Sequence, residues 1–547
     1  MMPDRRVIWH VGRVPHTDWL LTASERANAQ TSLDDRHPDD EAWSEGNVVR
    51  PLIHGTTYFA ELHERLQATE PGDLVYFTDW QGDADELLTG EPGSEVVEVL
   101  AQADERGVDV RGLIWRSHME KLSFNAAENR LLGRQLQSRG AEALLDMRVR
   151  TGGSHHQKLV VIRHRDDPER DIAYVGGIDL CHSRRDDARH LGDPQTVEMA
   201  SEYGPTPPWH DVMAAITGPA VYDVEAVFRE RWLDPTRLTR HPLYWAQDKI
   251  LRMDMTPDPL PEQAPPPPSP EGATHTVQLL RTYPNLRRGR DYPFARGGER
   301  SVARGYSKAM RKARHLVYVE DQYLWGHHVG NVFTEALRAN PDLHVIAVVP
   351  MFTDKQGFLA RTPQLLGRAR AMRDMADVAP GRVAIYGIEN HHGTPVYVHA
   401  KVCVMDDVWA TIGSDNFNRR SWTHDSELSA VVVDPSGEDH SPYARKLRLT
   451  LAAEHLDREV GADDDSLLEV MSDCVEGIGM FSAYAESAQA LDDWHDGGQV
   501  GERPPGRLRR LQPPELARLE RAAALVPYLV LHDPDGRPRP LRREGGF

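Results

Sequence analysis

The sequence feature that most constrains the fold is a short motif that occurs twice. His156-Gln-Lys158 and His399-Ala-Lys401 each precede a run of four apolar residues that is typical of a buried strand. Side chains alternate between the faces of a strand, so a histidine and a lysine two residues apart point to the same side. A single His-x-Lys is usually a solvated strand edge, but two copies with the same continuation predict an internal duplication.

The second copy of the motif is the more complete. Asp406 follows its apolar run and supplies turn chemistry, and the returning strand closes on Gly413-Ser414-Asp415-Asn416. In the first copy Arg163 stands where the aspartate is expected, and the closing residues are Gly176-Gly177-Ile178-Asp179. We therefore expect two similar strand pairs that bring imidazole, ammonium and amide or carboxyl groups to the end of a sheet.

These motifs resemble those of the phospholipase D superfamily, whose hallmark is a duplicated H-x-K-x-x-x-x-D followed by G-[GS]-x-N. Other segments resemble those of the phosphatidylcholine-type phospholipases D: Trp209-His-Asp211, Gly218-Pro219, Arg231-Trp232, Glu320-Asp-Gln-Tyr323 and Ala453-Glu-His-Leu456. The resemblance covers about residues 45–460. It implies one active site between two similar halves and a phosphohistidine intermediate.

Helical and strand patterns alternate along both parts of the chain, and the run that starts at Leu74 is similar to the run that starts at Leu316. This rhythm predicts an α/β fold with two similar α/β/α sandwich halves, each with a mostly parallel sheet, packed into one pseudo-two-fold unit. We expect the following segments: an N-terminal segment of uncertain order (1–45), a first half (46–253), a Pro-rich linker (254–274), a second half (275–460) and a C-terminal extension (461–547) with a helix over 514–525.

The composition limits the classes of partner. A net charge of −20 disfavours a general nucleic-acid binder, and we expect no nucleic-acid partner. Three cysteines exclude a disulfide scaffold, and we expect neither metal nor nucleotide cofactor, because no metal-ligand or glycine-rich phosphate-loop spacing occurs. The N-terminus lacks the apolar core of a signal peptide, and no run could span a membrane. We expect a cytoplasmic protein with peripheral contact at a membrane, and the oligomeric state, a monomer included, stays open.

The resemblance also implies roles for individual residues. His156 would attack phosphorus and His399 would act as the acid and base, although exchanged roles fit the motifs equally well. The lysines and Asn416 would bind the phosphate oxygens, and the role of Asp179 is less certain because a carboxylate cannot donate. The candidate catalytic residues are His156, Lys158, His399, Lys401, Asp406, Asn416, Asp179, Glu427 and Asp186, the last two as carboxylates behind the imidazoles. The candidate substrate-binding residues are Lys158, Lys401, Asn416, Ser414 and Gly177.

The favoured hypothesis is a phospholipase D, a phosphoric diester hydrolase that converts glycerophospholipids to phosphatidic acid and free alcohol, with possible transfer to another alcohol. One alternative is a cardiolipin-type phosphatidyltransferase or a nuclease of the same superfamily. An alternative of another class is a degenerate lipid-binding protein without catalysis, which Arg163 and Asp179 motivate. The loop residues Met351, Phe352, Phe358 and Leu359 are candidates for membrane contact or, equally, for packing.

Overall fold

A computed structural model of the chain describes residues 16–118, 125–286, 291–324, 326–355, 358–437, 439–461 and 463–547. Sixteen of the eighteen strands in these ranges form one continuous sheet, and the other two form a short ribbon. The strands are β1 (Ser44–Ile53), β2 (Leu74–Asp79), β3 (Asp109–Trp115), β4 (Glu142–Asp146), β5 (Leu159–Arg163), β6 (Ile172–Gly176), β7 (Trp209–His210), β8 (Val212–Thr217), β9 (His275–Tyr283), β10 (Glu299–Arg300), β11 (Leu316–Glu320), β12 (His344–Val348), β13 (Val383–Ile388), β14 (Tyr397–Val398), β15 (Val402–Met405), β16 (Trp409–Gly413), β17 (Glu427–Val433) and β18 (Leu508–Arg510).

Fifteen α-helices cover the sheet or extend beyond it within the described ranges. They are α1 (Ala23–Arg26), α2 (Gly55–Gln67), α3 (Val96–Glu105), α4 (Ala126–Arg139), α5 (Ala220–Trp232), α6 (Pro242–Ile250), α7 (Ser301–Lys312), α8 (His327–Ala339), α9 (Phe358–Val378), α10 (Arg419–Thr423), α11 (Pro442–His455), α12 (Asp464–Val470), α13 (Gly477–Asp496), α14 (Arg518–Pro527) and α15 (Arg539–Glu544).

The strand order repeats between the two halves. The first half runs β4-β3-β2-β5-β6-β8-β1, and the second runs β13-β12-β11-β15-β16-β17-β9, with the same parallel and antiparallel pairings at every step. The halves join edge to edge through β1 and β9, and β18 extends the far edge of the second half. The predicted pair of similar α/β halves is therefore confirmed.

The prediction of a mostly parallel sheet is wrong. Only three strands of each half are parallel to one another, and the other four pair antiparallel. The reason is that the strand pairs after the His-x-Lys motifs are joined by turns rather than by helices, and a short connection returns the chain antiparallel.

The alternation of side chains divides the core by the face of the sheet. Val161 and Val404 belong to one core that contains residues of both halves. Val160 belongs to a second core, on the opposite face of the first half, and Cys403 belongs to a third, on the opposite face of the second half. The shared core fixes the position of one half against the other, which matters because the two motifs lie in different halves.

The segments outside the halves pack on them. Of the N-terminal segment, residues 1–15 lie outside the described residues, whereas Leu20 and Leu21 are buried in the core of the second half. Pro265 of the linker accepts a hydrogen bond from Arg163 of the first half, at 2.6 Å. The helix expected over 514–525 is α14 and begins four residues later, at Arg518. No described helix is both long enough and apolar enough to cross a membrane.

Candidate active site

Both His-x-Lys motifs lie at the same edge of the sheet, where the parallel strands end. Lys158 immediately precedes β5, whose first residue pairs with Thr78 near the end of β2. Lys401 immediately precedes β15, whose first residue pairs with Glu320 at the end of β11. The carboxyl ends of parallel strands are where open α/β sheets bind ligands. The duplicated topology thus presents two equivalent motifs at one edge.

The His156 imidazole is held by a carboxylate of the other half. Its Nδ1 lies 2.8 Å from Oε2 of Glu427, the first residue of β17, and its backbone N–H donates to the Ser426 carbonyl at 2.9 Å. The Ser414 hydroxyl donates to the same carboxylate oxygen at 2.6 Å. Because Nδ1 faces Glu427, the opposite ring nitrogen, Nε2, is the one available to a substrate.

The His399 imidazole is held in the mirrored way, by a carboxylate of the first half. Its Nδ1 lies 2.7 Å from Oδ2 of Asp211, the residue between β7 and β8, and its backbone N–H donates to the His210 carbonyl at 2.8 Å. Its ring packs against Trp209, with 4.8 Å between the centroids. Each half therefore supplies the carboxylate that orients the other half's histidine.

The prediction that Asp186 stands behind the imidazole of a His-x-Lys motif is wrong. Its carboxylate accepts hydrogen bonds from the backbone of Asp187, Gly192 and Trp209 and lies 3.7 Å from His190. It fixes the loop that leads into β7, and Asp211 has the predicted position. The Trp209-His210-Asp211 segment carried the signal for Asp211, since this residue precedes β8 as Glu427 begins the equivalent strand β17.

The two lysines are buried beside the two imidazoles. Lys158 Nζ lies 3.3 Å from Asp179 Oδ1 and 3.1 Å from the His156 carbonyl oxygen, and Lys401 Nζ donates to the His399 carbonyl oxygen. After burial, the positive charges of both lysines contribute to lowering the pKa of both histidines, so the four groups lie near one another. Burial lowers the pKa of Lys401 to about 8.

Burial also sets the protonation state of the histidines. Desolvation, with the nearby lysines, lowers the pKa of His156 and of His399 well below 6.5. Burial raises the pKa of Glu427 to about 8 and raises that of Asp211. Burial thus disfavours the charged form of each imidazole and of its carboxyl partner, and the contact at Nδ1 leaves Nε2 as the ring nitrogen available to act as a nucleophile or base.

The glycines and serine of the closing motifs support these carboxylates. A Cβ atom on Gly177 would lie 2.1 Å from Asp211 Oδ1, so only glycine leaves room for that side chain. Ser414, at the equivalent position of the second half, hydrogen-bonds to Glu427 and accepts from the Leu428 N–H at 3.0 Å. Both residues were predicted to bind substrate, but the structure places both against the carboxyl partners of the histidines.

Asp179 and Asn416 occupy equivalent positions and differ in environment. Asp179 accepts from the N–H groups of Trp80 and Gln81 at 3.1 and 3.3 Å. Burial raises the pKa of Asp79, as does the neighbouring Asp179 carboxylate, so Asp79 carries the proton of this pair. Burial opposes ionisation of Asp179 as well, but Lys158 and the hydrogen bond from Asp79 outweigh it and lower its pKa. Asn416 is buried, and its Oδ1 has no hydrogen-bond partner in the described ranges.

Asp406 is not part of the pocket. It lies beyond the far end of β15, where its carboxylate accepts from the backbone N–H groups of Arg314, His315 and Leu316 at 2.6–2.9 Å. Its inclusion among the catalytic residues is therefore corrected, and its function is to fix the hairpin to the start of β11. In the first half Asp73, before β2, accepts from the backbone of Arg165, after β5, at 2.9 Å.

Arg163 is accordingly no defect in the first motif. Its guanidinium lies 2.6 Å from carboxylate oxygens of both Asp171 and Glu225. This ion-pair group and the Asp73 contact stabilise the end of the hairpin that Asp406 stabilises in the second half. Arg163, where the first motif departs from the superfamily pattern, is therefore the last residue of β5, at the opposite end of the strand from His156.

A cluster of buried histidines and glutamates lies behind His399. His210 Nε2 lies 2.6 Å from Glu320, and Glu454 lies 2.7 Å from His54 and 2.9 Å from His190. Burial lowers the pKa of His210, but Glu320 and Glu454 outweigh it and raise the pKa to about 10. His210 is therefore an imidazolium between carboxylates of the other half.

Some of these groups could hold a metal ion. Ligand atoms of His54, His190, His210 and Glu454 lie within 4.8 Å of one another, as do those of His210, Glu320 and His455. They come from separate segments of the chain, so the search for local metal-ligand spacing in the sequence could not find them. His391 and His392, which are adjacent in the sequence, belong to neither group.

Comparison with known proteins gives the family. A family model described as phospholipase D matches residues 71–348, and one described as cardiolipin synthase, PLD-like domain, matches residues 364–448. Phospholipase D beta 1 of Arabidopsis thaliana is 29% identical over 409 residues, which cover 55% of this chain and 37% of that protein. Phospholipase D beta 2 of the same plant is 25% identical, over 74% of this chain and 56% of that protein.

The chain thus spans between about a third and two thirds of the length of such plant relatives, phospholipase D alpha 4 included, of which it covers 64%. Among solved structures, the phosphatidylserine synthase of Haemophilus influenzae Rd KW20 has a TM-score of 0.48 and 13% sequence identity, over 77% of this chain and 86% of that one.

Proposed function

The chain belongs to the phospholipase D superfamily, and from that premise we propose that it is a phospholipase D that hydrolyses the distal phosphodiester bond of glycerophospholipids. The products would be phosphatidic acid and the free headgroup alcohol. The observation that carries the proposal is the crossed pair of imidazoles, each held at Nδ1 by a carboxylate of the other half, beside two buried lysines. This set can stabilise a phosphoryl transition state and move its protons without another group.

In the first step, His156 Nε2 attacks phosphorus with its lone pair. A nitrogen–phosphorus bond forms and the bond to the headgroup oxygen breaks, while the proton on His399 passes to the departing alkoxide. Lys158, Lys401 and the Asn416 amide stabilise the charge on the non-bridging oxygens. The histidine roles follow the order that the resemblance to the superfamily implies.

In the second step, water attacks the phosphatidyl group on His156. His399 accepts the proton of the water, a phosphorus–oxygen bond forms, and the electron pair of the nitrogen–phosphorus bond returns to His156. Phosphatidic acid then leaves. Glu427 and Asp211 hold the rings in place throughout and balance the positive charge that each ring carries in turn.

The charge of the bound substrate would favour the protonated form of His399 that the first step needs, with the proton taken up from solvent. The charges of Lys401, Arg184 and Lys158 contribute to lowering the His399 pKa in the free enzyme. A phosphodiester monoanion between the lysines would cancel part of that field and raise the pKa of His399. Protonation of His399 would therefore accompany substrate binding, and the proposed order of steps requires His156 to remain neutral for attack.

Transfer to an alcohol is a second candidate function, favoured by the match of residues 364–448 to the cardiolipin synthase model. The same phosphatidyl-enzyme intermediate would serve both reactions, and the acceptor that reaches His399 would decide between them. Phosphatidylglycerol as donor and acceptor tests this directly: cardiolipin as the main product would favour transfer, and phosphatidic acid would favour hydrolysis.

The test of the proposed function is turnover of phosphatidylcholine, phosphatidylglycerol and single-stranded DNA by the purified protein, with His156→Asn as the inactive control. We expect release of choline and phosphatidic acid, and an acid-quenched phosphoenzyme that is absent from His156→Asn. Cleavage of DNA with no turnover of lipid would show a nuclease instead. Lipid binding with no turnover of any phosphodiester would show the non-catalytic alternative.

A further inference from the structure

The C-terminal extension exposes an unusual number of large apolar side chains. Within thirteen residues, six such side chains are 44–86% exposed. They are Leu519, Leu525, Val526, Leu529, Val530 and Leu531, which we name the C-terminal apolar surface. Single exposed apolar residues are common on proteins, but six within one short segment indicate a candidate binding surface.

The helix that carries this surface is turned outward. In α14 and the turn after it, Ala524 and Tyr528 are buried, while Leu525, Val526 and Leu529 beside them are exposed. A surface helix normally places its larger apolar side chains toward the core and its polar ones toward water. Here the larger apolar side chains face outward, so packing within the described parts of this chain does not account for them.

The C-terminal apolar surface lies beside the candidate active site. Arg420, in α10, donates to the Leu531 carbonyl at 2.7 Å and to the Gly152 carbonyl at 2.7 Å, and it forms an ion pair with Asp425. Asp425 accepts from the N–H of Ser154, two residues before His156, at 2.9 Å. A single arginine thus links the apolar surface to the segment that enters the first His-x-Lys motif.

The charges around this surface favour an anionic partner. Five arginines of the same extension are exposed: Arg518, Arg521, Arg539, Arg542 and Arg543. Among the acidic residues of this segment, Asp533 is buried, Asp535 forms an ion pair with Arg537, Glu520 is half-buried, and Glu515 and Glu544 are exposed, so exposed arginines outnumber exposed glutamates by five to two. The chain as a whole carries a charge of −20, so this basic group is a local exception. Apolar side chains flanked by arginines are the composition of segments that lie in a membrane interface.

We propose that the C-terminal apolar surface docks the protein on a lipid bilayer, with its leucines and valines among the upper acyl chains and its arginines at anionic headgroups. Docking there sets the mouth of the active site against the bilayer, so a phospholipid can enter without crossing water. The proposal deepens the proposed function and rests on it for the identity of the substrate, but lipid binding itself needs no turnover.

The loop residues that the sequence offered for membrane contact fit less well. Phe352 packs against Tyr203, whose hydroxyl donates to the Phe352 carbonyl at 2.6 Å, and Met351 lies against Gly387. The side chains of Phe358 and Leu359 lie outside the described residues. The alternative of packing is therefore the one that the structure supports for Met351 and Phe352.

The experiment is co-sedimentation of the full chain with vesicles of phosphatidylcholine and of phosphatidylcholine with phosphatidylglycerol. The docking variant combines L525S, V526S, L529S and V530S, and the matched control combines I478S and V500S, which are also exposed but lie on other parts of the molecule. We expect the docking variant to bind both vesicles at least tenfold more weakly than the control. A charge variant (R518Q, R539Q, R542Q, R543Q) should lose the preference for anionic vesicles and its salt dependence.

A paired activity measurement separates docking from catalysis. The rate on vesicle phosphatidylcholine is divided by the rate on a short-chain phosphatidylcholine dispersed as monomers, and this ratio should fall at least tenfold in the docking variant. Equal vesicle binding by the docking variant and the control would overturn the proposal. A docking variant that binds vesicles normally but no longer forms a dimer seen for the parent protein would also overturn it. Vesicle binding that depends on this surface, without turnover of any phosphodiester, would overturn the proposed function and leave docking intact.

Discussion

The supports behind the two histidines have the same backbone geometry and different chemistry. Ser426 and His210 occupy equivalent positions: each carbonyl accepts the N–H of one histidine, and each precedes the carboxylate that holds that ring. The Ser426 hydroxyl accepts from Arg231, which pairs with Asp146 at 2.7 Å. His210 pairs instead with Glu320 at 2.6 Å.

The two halves thus place their carboxylates, Glu427 and Asp211, at equivalent positions, but the residues that support those carboxylates differ between the halves. A guanidinium stays charged at every accessible pH, and Arg148 and Arg231 together lower the pKa of Asp146 despite its burial. An imidazolium can lose its proton. The second support can therefore respond to pH and the first cannot, although both position equivalent carboxylates.

The largest expected effect is the loss of activity on replacing either histidine, and a second substrate distinguishes the roles of the two. His156→Asn and His399→Asn should each lower kcat/KM on phosphatidylcholine by about 10⁴-fold, because each removes a group that acts in both steps. With a p-nitrophenyl phosphodiester, whose leaving group needs no proton, His399→Asn should regain a burst of p-nitrophenol and His156→Asn should not. Stopped-flow absorbance measures the burst. A burst in His156→Asn alone would exchange the roles.

The second prediction concerns the two supports. His210→Gln leaves the buried Glu320 carboxylate without its charged partner and should lower the free energy of unfolding by about 3–5 kcal/mol at pH 7. Arg231→Met removes one of two partners of Asp146, which keeps its ion pair with Arg148 at 3.0 Å, so its cost should be smaller. The His210 pKa of about 10 lies above its unfolded value of 6.5. The stabilisation by His210 is therefore complete below about pH 6.5 and is lost as the pH rises toward 10.

Urea unfolding at several pH values tests this difference. The cost of His210→Gln should shrink between pH 7 and pH 10, while the cost of Arg231→Met stays constant. The double variant His210→Gln, Glu320→Gln should recover part of the loss, because it also removes the charge that His210→Gln leaves unpaired. A cost for His210→Gln that does not depend on pH would contradict a titrating support.

The third prediction sharpens the comparison at the far end of the hairpins. Asp406→Ala removes the acceptor for three backbone N–H groups and should lower the free energy of unfolding by about 1–3 kcal/mol, with kcat/KM within threefold of the parent protein. Asp406→Asn keeps an acceptor oxygen and should recover much of the stability. A hundredfold loss of kcat/KM in a stably folded Asp406→Ala protein would return this residue to the active site.

The smallest expected effect is the fall of kcat/KM at alkaline pH as Lys401 loses its charge. Burial lowers the pKa of Lys401 to about 8, so its positive charge is lost as the pH rises through that value. We expect kcat/KM on a monomeric phosphodiester to approach a tenfold fall per pH unit above about pH 8. Lys401→Arg, which stays charged, should remove this limb of the profile even if its absolute rate is lower. An unchanged limb in Lys401→Arg would assign it to another group.

Much of the site could be predicted because the motifs are local. The strand alternation that places His156 and Lys158 on one face depends only on neighbouring residues. The similarity between the segments at Leu74 and Leu316 is likewise visible within short stretches of sequence. The partner of His399 could not be predicted in this way: Asp186 and Asp211 both follow the first motif, and only the path of the chain into β8 decides between them. The mistaken parallel sheet has the same origin, since strand pairing is a long-range property.

Because each histidine is held by a carboxylate of the other half, the two members of each pair are synthesised at different times. Glu427 follows His156 by 271 residues, and Asp211 precedes His399 by 188. While the chain is being made, the first imidazole exists without the acid that orients it for 271 of the 547 residues, about half of the synthesis, and a truncated product that ends before β17 never acquires that acid. A partly synthesised chain thus carries His156 without the carboxylate that orients its ring.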